Sequence, residues 1–494
     1  MAFNSLWYPA LFLLLTAIFA VYLALRRLVL HPLAYYPGPP AAAVTSLYKT
    51  YFEVVKGGQW LRQLDELHNV YGDVVRVGPN ELHFKDYRIY DKIFSVNSHL
   101  TKDPWFYACF GVGQSTFGAI DPAHAKSCRE LLSPFFDRRS MLEFETVIRS
   151  KIELLADRLS NENAAVDMFY AFRCATMDII ATLCFGRSSQ LLQGEELKAS
   201  LLVDIQDAVP LLWTTKHFPW VISIAPFLPG CIKVKSQFNS FLRICDFVFG
   251  EIHYAGQVDK PALDVPRFIY KDLPAISNVV HGSSSSTYLV HEALALIQAG
   301  SDTVANTCIT GVFHVLSNPS IHRRLVDELQ RAWPDARENI GWNDMEKIPY
   351  LTAVIKESLR LSHGFVSPLP RVVGKGGLDC LGYKIPPGTV VGMSTTFIHT
   401  NPELFPKPHE FCPERWIGST THNKYLLSFS RGTRMCLGIN MAWAELYLFF
   451  GILFRKLDME IVDTSARDVT EFDDYFVPVY TGRHLKLRIA RKTI

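Results

Sequence analysis

The sequence predicts a mainly α fold with a small β-sheet, preceded by one N-terminal transmembrane helix. Three observations predict it: an uncharged apolar run at residues 6–25, a longer segment at residues 287–317 that is apolar on nearly every side, and very few runs with strand character.

The 494 residues are 49% hydrophobic and 20% charged, which suits a chain with a large buried core and excludes a disordered one. A formal net charge of +2 gives no reason to expect a nucleic-acid partner. The cysteines are scattered singly with no Cys-x-x-Cys pair, and a chain of this length needs no disulfide staples. That usage fits a reducing compartment, with all but about one of the 10 cysteines expected to behave as small buried hydrophobes.

As a helix, residues 6–25 rise about 30 Å, enough to cross the hydrocarbon core of a bilayer. Arg26 and Arg27 follow at once and only neutral residues precede, so the positive-inside rule places everything after Arg27 in the cytosol. A cleaved signal peptide would want a basic start, a shorter apolar stretch and a small-residue cleavage site, and none is evident. Residues 1–30 therefore read as an uncleaved anchor and stop, and residues 31–494 as the globular domain. Pro37, Gly38, Pro39 and Pro40 fix the backbone between the two as a stiff hinge. Strand character appears at residues 74–77, 81–84, 371–373 and 485–489. The polar stretch 281–286 reads as a surface loop. Beyond it, segment 287–317 predicts a central helical strut, stopped by Asn318 and Pro319. Shorter helices are expected at residues 350–361 and 441–453.

The chemistry concentrates at Phe429-Ser-Arg-Gly432-Thr-Arg434-Met-Cys436-Leu-Gly438, just before the last of these helices. Glycines let backbone N–H groups approach the cysteine sulfur, and a helix starting behind it aims its positive end at the thiolate. An isolated cysteine would read as a buried residue in a tight turn; five residues at fixed spacing before a helix do not. The loop resembles the haem-binding signature of the cytochrome P-450 family, whose cysteine is the proximal iron ligand. The resemblance implies a haem-thiolate catalytic domain over residues 31–494, with Cys436 on the iron, Phe429 shielding the sulfur and Arg434 in reach of a haem propionate. A thiolate pushes electron density onto iron and favours O–O cleavage, which is the physical reason for cysteine in place of histidine.

Further segments follow the family's order. Glu357 and Arg360 lie three apart on one helix face, ordinarily a surface ion pair. Followed by Pro413-Glu-Arg415-Trp416, they resemble the family's buried Glu-Arg-Arg triad, which implies a structural role for Glu357, Arg360 and Arg415. Ala299-Gly300-Ser301-Asp302-Thr303 resembles the oxygen-activation segment. There Gly300 would make room for O2, Thr303 would supply a hydroxyl and Asp302 would relay protons, although a glycine can equally serve packing and a threonine can back-bond its own helix. Arg129 and Arg371 match the family's propionate-binding arginines. The tryptophan that should accompany Arg129 is replaced by Ala125, and His124 beside it is a candidate substitute.

Residues 105–113 are aromatic and glycine-rich, and residues 209–228 are strongly apolar with interrupting prolines. With Phe106, Phe110, Phe365, Val366, Phe476 and Val477 falling where the family lines its pocket, they imply a lipophilic substrate entering from the membrane side. The resemblance implies a monooxygenase. No Gly-rich nucleotide unit, flavin domain or second cysteine cluster is present to carry electrons, so NADPH-cytochrome P-450 reductase is the expected partner, with cytochrome b5 as a further donor. Fungal members that decorate secondary metabolites are the nearest likeness, which makes a terpenoid skeleton the first expectation, ahead of polyketides or alkaloids. The expected location is the endoplasmic reticulum membrane. A haem-thiolate isomerase or dehydratase acting on a peroxide, or a non-catalytic haem-binding scaffold, are the alternatives; the Asp302–Thr303 pair and intact Cys436 weigh against them.

Overall fold

The computed structural model describes residues 7–257, 267–274, 285–380, 382–418 and 420–492. Residues 281–284 of the expected polar loop lie outside the described residues, and Ser285 and Ser286 already belong to the central helix.

The N-terminal apolar run forms a helix over Trp7–Leu25 that continues as a π-helical turn over Arg26–Leu30. Residues 8–30 have a mean hydropathy of 2.2, and none of that stretch is buried by protein. Side chains such as Phe12, Leu13 and Phe19 are therefore left for lipid to cover, and an α-helix already satisfies its own backbone there. The helix Met168–Phe185 is also long and apolar enough to cross a membrane, but it is 94% buried and is a core helix.

The chain gathers into two compact units, residues 1–103 with 368–394, and residues 104–367 with 395–494. In the first, strands Val74–Gly78, Glu81–Phe84, Val390–Gly392, Arg371–Val372 and Thr101–Lys102 form one sheet in that spatial order. Glu81–Phe84 runs parallel to Val390–Gly392 and the other pairs are antiparallel. The proline hinge does not swing free of this sheet. Arg76 donates its backbone N–H to the Pro37 carbonyl at 2.6 Å, and its buried guanidinium donates to the carbonyls of Arg27 at 2.9 Å and Pro79 at 2.7 Å. Gly38 passes so close that a Cβ would lie 2.3 Å from the Arg76 carbonyl oxygen, so only glycine fits.

The second unit is built on the central helix Ser285–Leu316, which packs against Met168–Phe185, Pro349–Ser362 and Ile439–Lys456. Asn318 closes it off by capping the next helix, its side chain accepting from the N–H groups of Ser320 and Ile321. Cys308, Ile309, Val312, Leu351, Leu448 and Phe449 share one continuous core with it. Each fully buried Leu or Phe side chain there stabilises the fold by about 1.5–3 kcal/mol. The strand predicted at 485–489 appears as Lys486–Arg491, paired with Leu457–Val462 and Val166–Asp167.

The cysteine expectation needs correction. Cys128, Cys174, Cys184, Cys308 and Cys380 are buried, but Cys109, Cys245 and Cys412 are half-buried and Cys231 and Cys436 are exposed. All are free thiols. Besides Cys436, the four that are not buried lie at helix and loop positions near the surface.

Candidate active site

The loop before Ile439–Lys456 is held in an irregular shape by its own backbone. The Cys436 N–H donates to the Phe429 carbonyl at 2.9 Å, while Ser430 (φ 55°) and Gly432 (φ 74°) take the left-handed conformation that turns the chain. The sulfur sits in a recess: the residue is exposed, yet desolvation by the surrounding protein raises its pKa above the ordinary 9.0. A backbone N–H from Gly438 and the Arg129 guanidinium pull the other way. The N–H donor and the helix start anticipated from the sequence are thus present; on the protein alone they do not outweigh desolvation. Phe429 is half-buried, its ring 6.1 Å from that of Trp443.

Behind the loop lies a buried polar frame. Glu357 and Arg360 have no exposed side-chain surface and pair at 2.7 Å and 2.9 Å. Arg415 reaches the same carboxylate at 3.1 Å, and the Cys412 N–H and Trp416 indole N–H each donate to it at 2.9 Å. Burial would raise the Glu357 pKa, but the Arg360 hydrogen bonds and charge outweigh it and hold the carboxyl below the usual range. Arg360 also donates to the carbonyls of His399 at 2.7 Å and Pro408 at 2.6 Å. His399 then accepts from the Leu427 N–H at 2.9 Å through Nε2, so the frame connects to the start of the cysteine loop. Burial keeps His399 neutral, as that acceptor role requires. Its part could not be seen in the sequence, where it is one histidine among 16.

On the central helix the residues separate. Ala299 is exposed and Thr303 half-buried, one turn apart, while Leu296, Ile297, Val304 and Ala305 are buried. This leaves an accessible stripe on a helix that otherwise crosses the core. Thr303 donates to the Ala299 carbonyl at 3.0 Å, the back-bonding arrangement. Gly300 does not match the reason given for it above. A Cβ there would lie 2.7 Å from the Ile180 side chain, so the glycine permits close packing of two helices. Asp302 is buried and paired with Arg173 at 2.6 Å, and Arg173 also donates to Asn306 at 2.6 Å. Arg173 was missed, though its signal was available: a lone cation in an apolar helical run needs a buried partner.

Arg129 is half-buried and donates to the Met435 carbonyl at 2.8 Å. Among the described residues this is its one hydrogen bond, which leaves most of a five-donor guanidinium for an anion beside the sulfur. Arg434 donates to the Ile120 carbonyl at 3.4 Å. Ala125, where the tryptophan would stand, is buried, and His124 Nε2 lies 3.2 Å from the Gln114 carbonyl oxygen. Arg371 belongs to the other unit, where it is a buried strand residue set over the Phe94 ring. A recessed thiol with an N–H donor, a helix N-terminus and a cation with spare donors fits an anionic haem bound through cysteine.

The aromatic residues assemble around Phe476, at the tip of the hairpin Phe472–Tyr475/Val477–Tyr480. Its φ of 76° is costly for a bulky side chain and is fixed from both sides. The Phe476 N–H donates to Asp474 at 3.0 Å, and its carbonyl accepts from the Val366 N–H at 2.8 Å. Rings of Phe110, Phe117, Phe365 and Phe106 lie 4.9, 5.7, 6.2 and 6.4 Å from it. Phe106 and Val366 are buried, whereas Phe110, Phe365 and Phe476 keep part of their faces open.

The family model described as cytochrome P450 matches residues 37–481. The chain is 32% identical to a tryptophan 6-hydroxylase of Fusarium equiseti over 95% of this chain and 94% of that one. It is also 32% identical to a cytochrome P450 monooxygenase of Aspergillus parasiticus, over 90% and 91% of the two chains. A solved cytochrome P450DA heme domain shares the fold with a TM-score of 0.74 at 14% identity, over 93% of this chain and 98% of that one.

Proposed function

Because the chain belongs to the cytochrome P450 family and is a haem-thiolate monooxygenase, we propose that Cys436 is its iron ligand and that it hydroxylates a lipophilic small molecule with a flat, aromatic skeleton. When bound, haem supplies the activation of O2, one atom entering the substrate and the other leaving as water. The Cys436 loop, closed by its N–H bond to the Phe429 carbonyl and flanked by Arg129 on the Met435 carbonyl, is the observation that carries this reading. Arg129 and Arg434 would hold propionates, and Arg371 keeps that assignment from the sequence alone. The Glu357–Arg360–Arg415 frame keeps the ligand loop in place through His399. Thr303 is assigned the proton delivered at the open helix face, with the Asp302 carboxylate, paired to Arg173, behind it.

The open faces of Phe110, Phe365 and Phe476 support an aromatic substrate over the terpenoid expected first, because ring edges and faces pair favourably at such separations, by about 0.5–1.5 kcal/mol each. The relative named as a tryptophan hydroxylase supports the same choice. Electrons come from a separate NADPH-dependent reductase, and the apolar N-terminal helix with Arg26 and Arg27 behind it supports an endoplasmic-reticulum anchor with the catalytic part in the cytosol. The test uses haem-loaded enzyme titrated with indole derivatives and with sesquiterpenes of matched hydrophobicity, reading the spin-state shift of the haem spectrum. Tight shifts with indoles and none with terpenes are expected; the reverse would return the substrate to the terpenoid class.

A further inference from the structure

Between the short helix Pro104–Ala108 and the helix Pro122–Phe136 the chain makes a loop that carries Phe110 and Phe117. Residues 112–119 of that loop are a closed unit. The Ser115 hydroxyl donates to the Val112 carbonyl at 2.8 Å and accepts from the Gly118 N–H at 3.0 Å, and the Ala119 N–H donates to the Ser115 carbonyl at 2.8 Å. A Cβ at Gly118 would fall 2.1 Å from the Val112 carbonyl oxygen, so the turn closes only with glycine. At its near end Gly111 (φ 68°) has nothing within 4 Å of a would-be Cβ, which leaves one unencumbered pivot.

This unit is tied to the central helix at two consecutive residues. Glu292, 1% exposed, accepts from the Thr116 N–H at 2.7 Å and from the Thr116 hydroxyl at 3.1 Å. His291 Nδ1 accepts from the Gln114 N–H at 3.2 Å. A carboxylate is costly to bury on an apolar helix, and the Thr116 donors are the hydrogen bonds that Glu292 receives among the described residues. Burial lifts its pKa to about 7 in spite of them, with Cys128, Cys184, Tyr270 and Tyr288 as the titratable groups that sense it.

We propose that Glu292 is a positioning residue: it latches the 112–119 turn onto the central helix and so keeps Phe117 against Phe110 and Phe476, controlling the admission of bulky flat ligands to the pocket. The proposal rests on the pocket reading given above for Phe110 and Phe476. With the latch closed, the Phe110–Phe117 edge contact at 5.0 Å and both contacts to Phe476 are made together. With it open, the turn pivots at Gly111 and carries Phe117 away from the other two rings.

The experiment compares full-length, haem-loaded wild type with Glu292→Leu, which keeps the volume without an acceptor, and Glu292→Gln, which keeps an acceptor for the Thr116 N–H. Two readouts are taken: amide hydrogen exchange over residues 112–119, and the association and dissociation rates of 1-phenylimidazole at the haem, with imidazole as the small control. Losing two hydrogen bonds to a buried acceptor should raise exchange and both phenylimidazole rates about tenfold in Glu292→Leu. Imidazole rates should stay put, and Glu292→Gln should restore most of the wild-type behaviour. Unchanged exchange would overturn the latch and leave the pocket reading intact. Faster exchange with unchanged phenylimidazole rates would overturn the control of entry, and would also remove Phe117 from the ligand's path. Should Glu292→Leu fail to take up haem, Thr116→Val removes one bond from outside the core and is held to the same two readouts, with a smaller rise expected.

Discussion

Glu357→Ala is the most exacting test of the polar frame behind the cysteine loop. The substitution strands Arg360, which has no exposed side-chain surface, and takes the acceptor from the Cys412 N–H and the Trp416 indole N–H. Breaking a buried pair from one side costs about 3–5 kcal/mol, since the remaining charge has no counter-ion. Two orphaned donors add about 1–3 kcal/mol each where water cannot reach them. Folded domains hold only about 5–15 kcal/mol in total, so most of the margin would go. The loss should not be uniform. Arg360 positions His399 and His399 holds Leu427, so the cysteine loop should loosen before the central helix does. The assay is haem content and the carbon-monoxide spectrum of purified enzyme, with thermal unfolding followed in parallel. Low yield, little haem and a shift toward the absorbance of a displaced thiolate are expected, and Glu357→Gln should fall between. A haem-replete Glu357→Ala with an unchanged unfolding temperature would refute the reasoning, because a charge stranded at zero exposure cannot be silent.

Cys436→Ala should abolish the red-shifted carbon-monoxide absorbance and all monooxygenase activity, while Cys412→Ala, whose backbone N–H makes the contact to Glu357, should leave the spectrum unchanged. Thr303→Ala keeps the helix and should bind haem and substrate normally, but proton delivery should slow about 10²–10⁴-fold, so product formed per NADPH consumed should fall with hydrogen peroxide taking up the difference. Deleting residues 2–28 should release the protein from carbonate-washed membranes, or leave weak attachment through exposed Trp220, Ile222 and Phe227. The fold should also be acid-labile. Burial holds His363 to about 3 and His314 to about 4, so both stay neutral in the fold while the unfolded chain protonates below about 6.5. Stability is then fully present above pH 6.5 and is lost as pH falls toward the folded values, by up to about 2 kcal/mol per histidine at pH 5; the measurement is the unfolding temperature across pH 7.5–5, and His363→Phe should flatten the curve.

What could be read from the sequence was whatever is written in local spacing. The central helix declares itself through a long apolar pattern, the anchor through length and missing charge, and the cysteine loop through residues packed into ten positions. Longer-range relations were hidden. Gly300 is explained by Ile180, far off in sequence, so no local pattern could distinguish packing from room for a ligand. Arg173 and Glu292 were overlooked although each is a charge inside an apolar helix, and such a charge always needs a partner. The strand Leu457–Val462 was missed despite its alternation of Leu457, Met459 and Ile461 with Asp458 and Glu460, because it follows a helix with no break.

The contacts of Arg76 bear on how the enzyme meets other molecules. A transmembrane helix joined to its cargo by a loose tether lets the cargo tumble, and each encounter with a membrane-bound electron donor then starts from a random attitude. Here the chain leaving the apolar helix is fastened twice within a few residues: Arg76 grips the Arg27 and Pro37 carbonyls, and the Arg27 guanidinium donates to the Val44 carbonyl at 2.5 Å. The sheet that carries Arg76 is therefore fixed to the first residues after the apolar helix. For a chain whose apolar helix spans a bilayer, such a fastening removes orientational freedom and leaves drift along the surface and spin about the membrane normal.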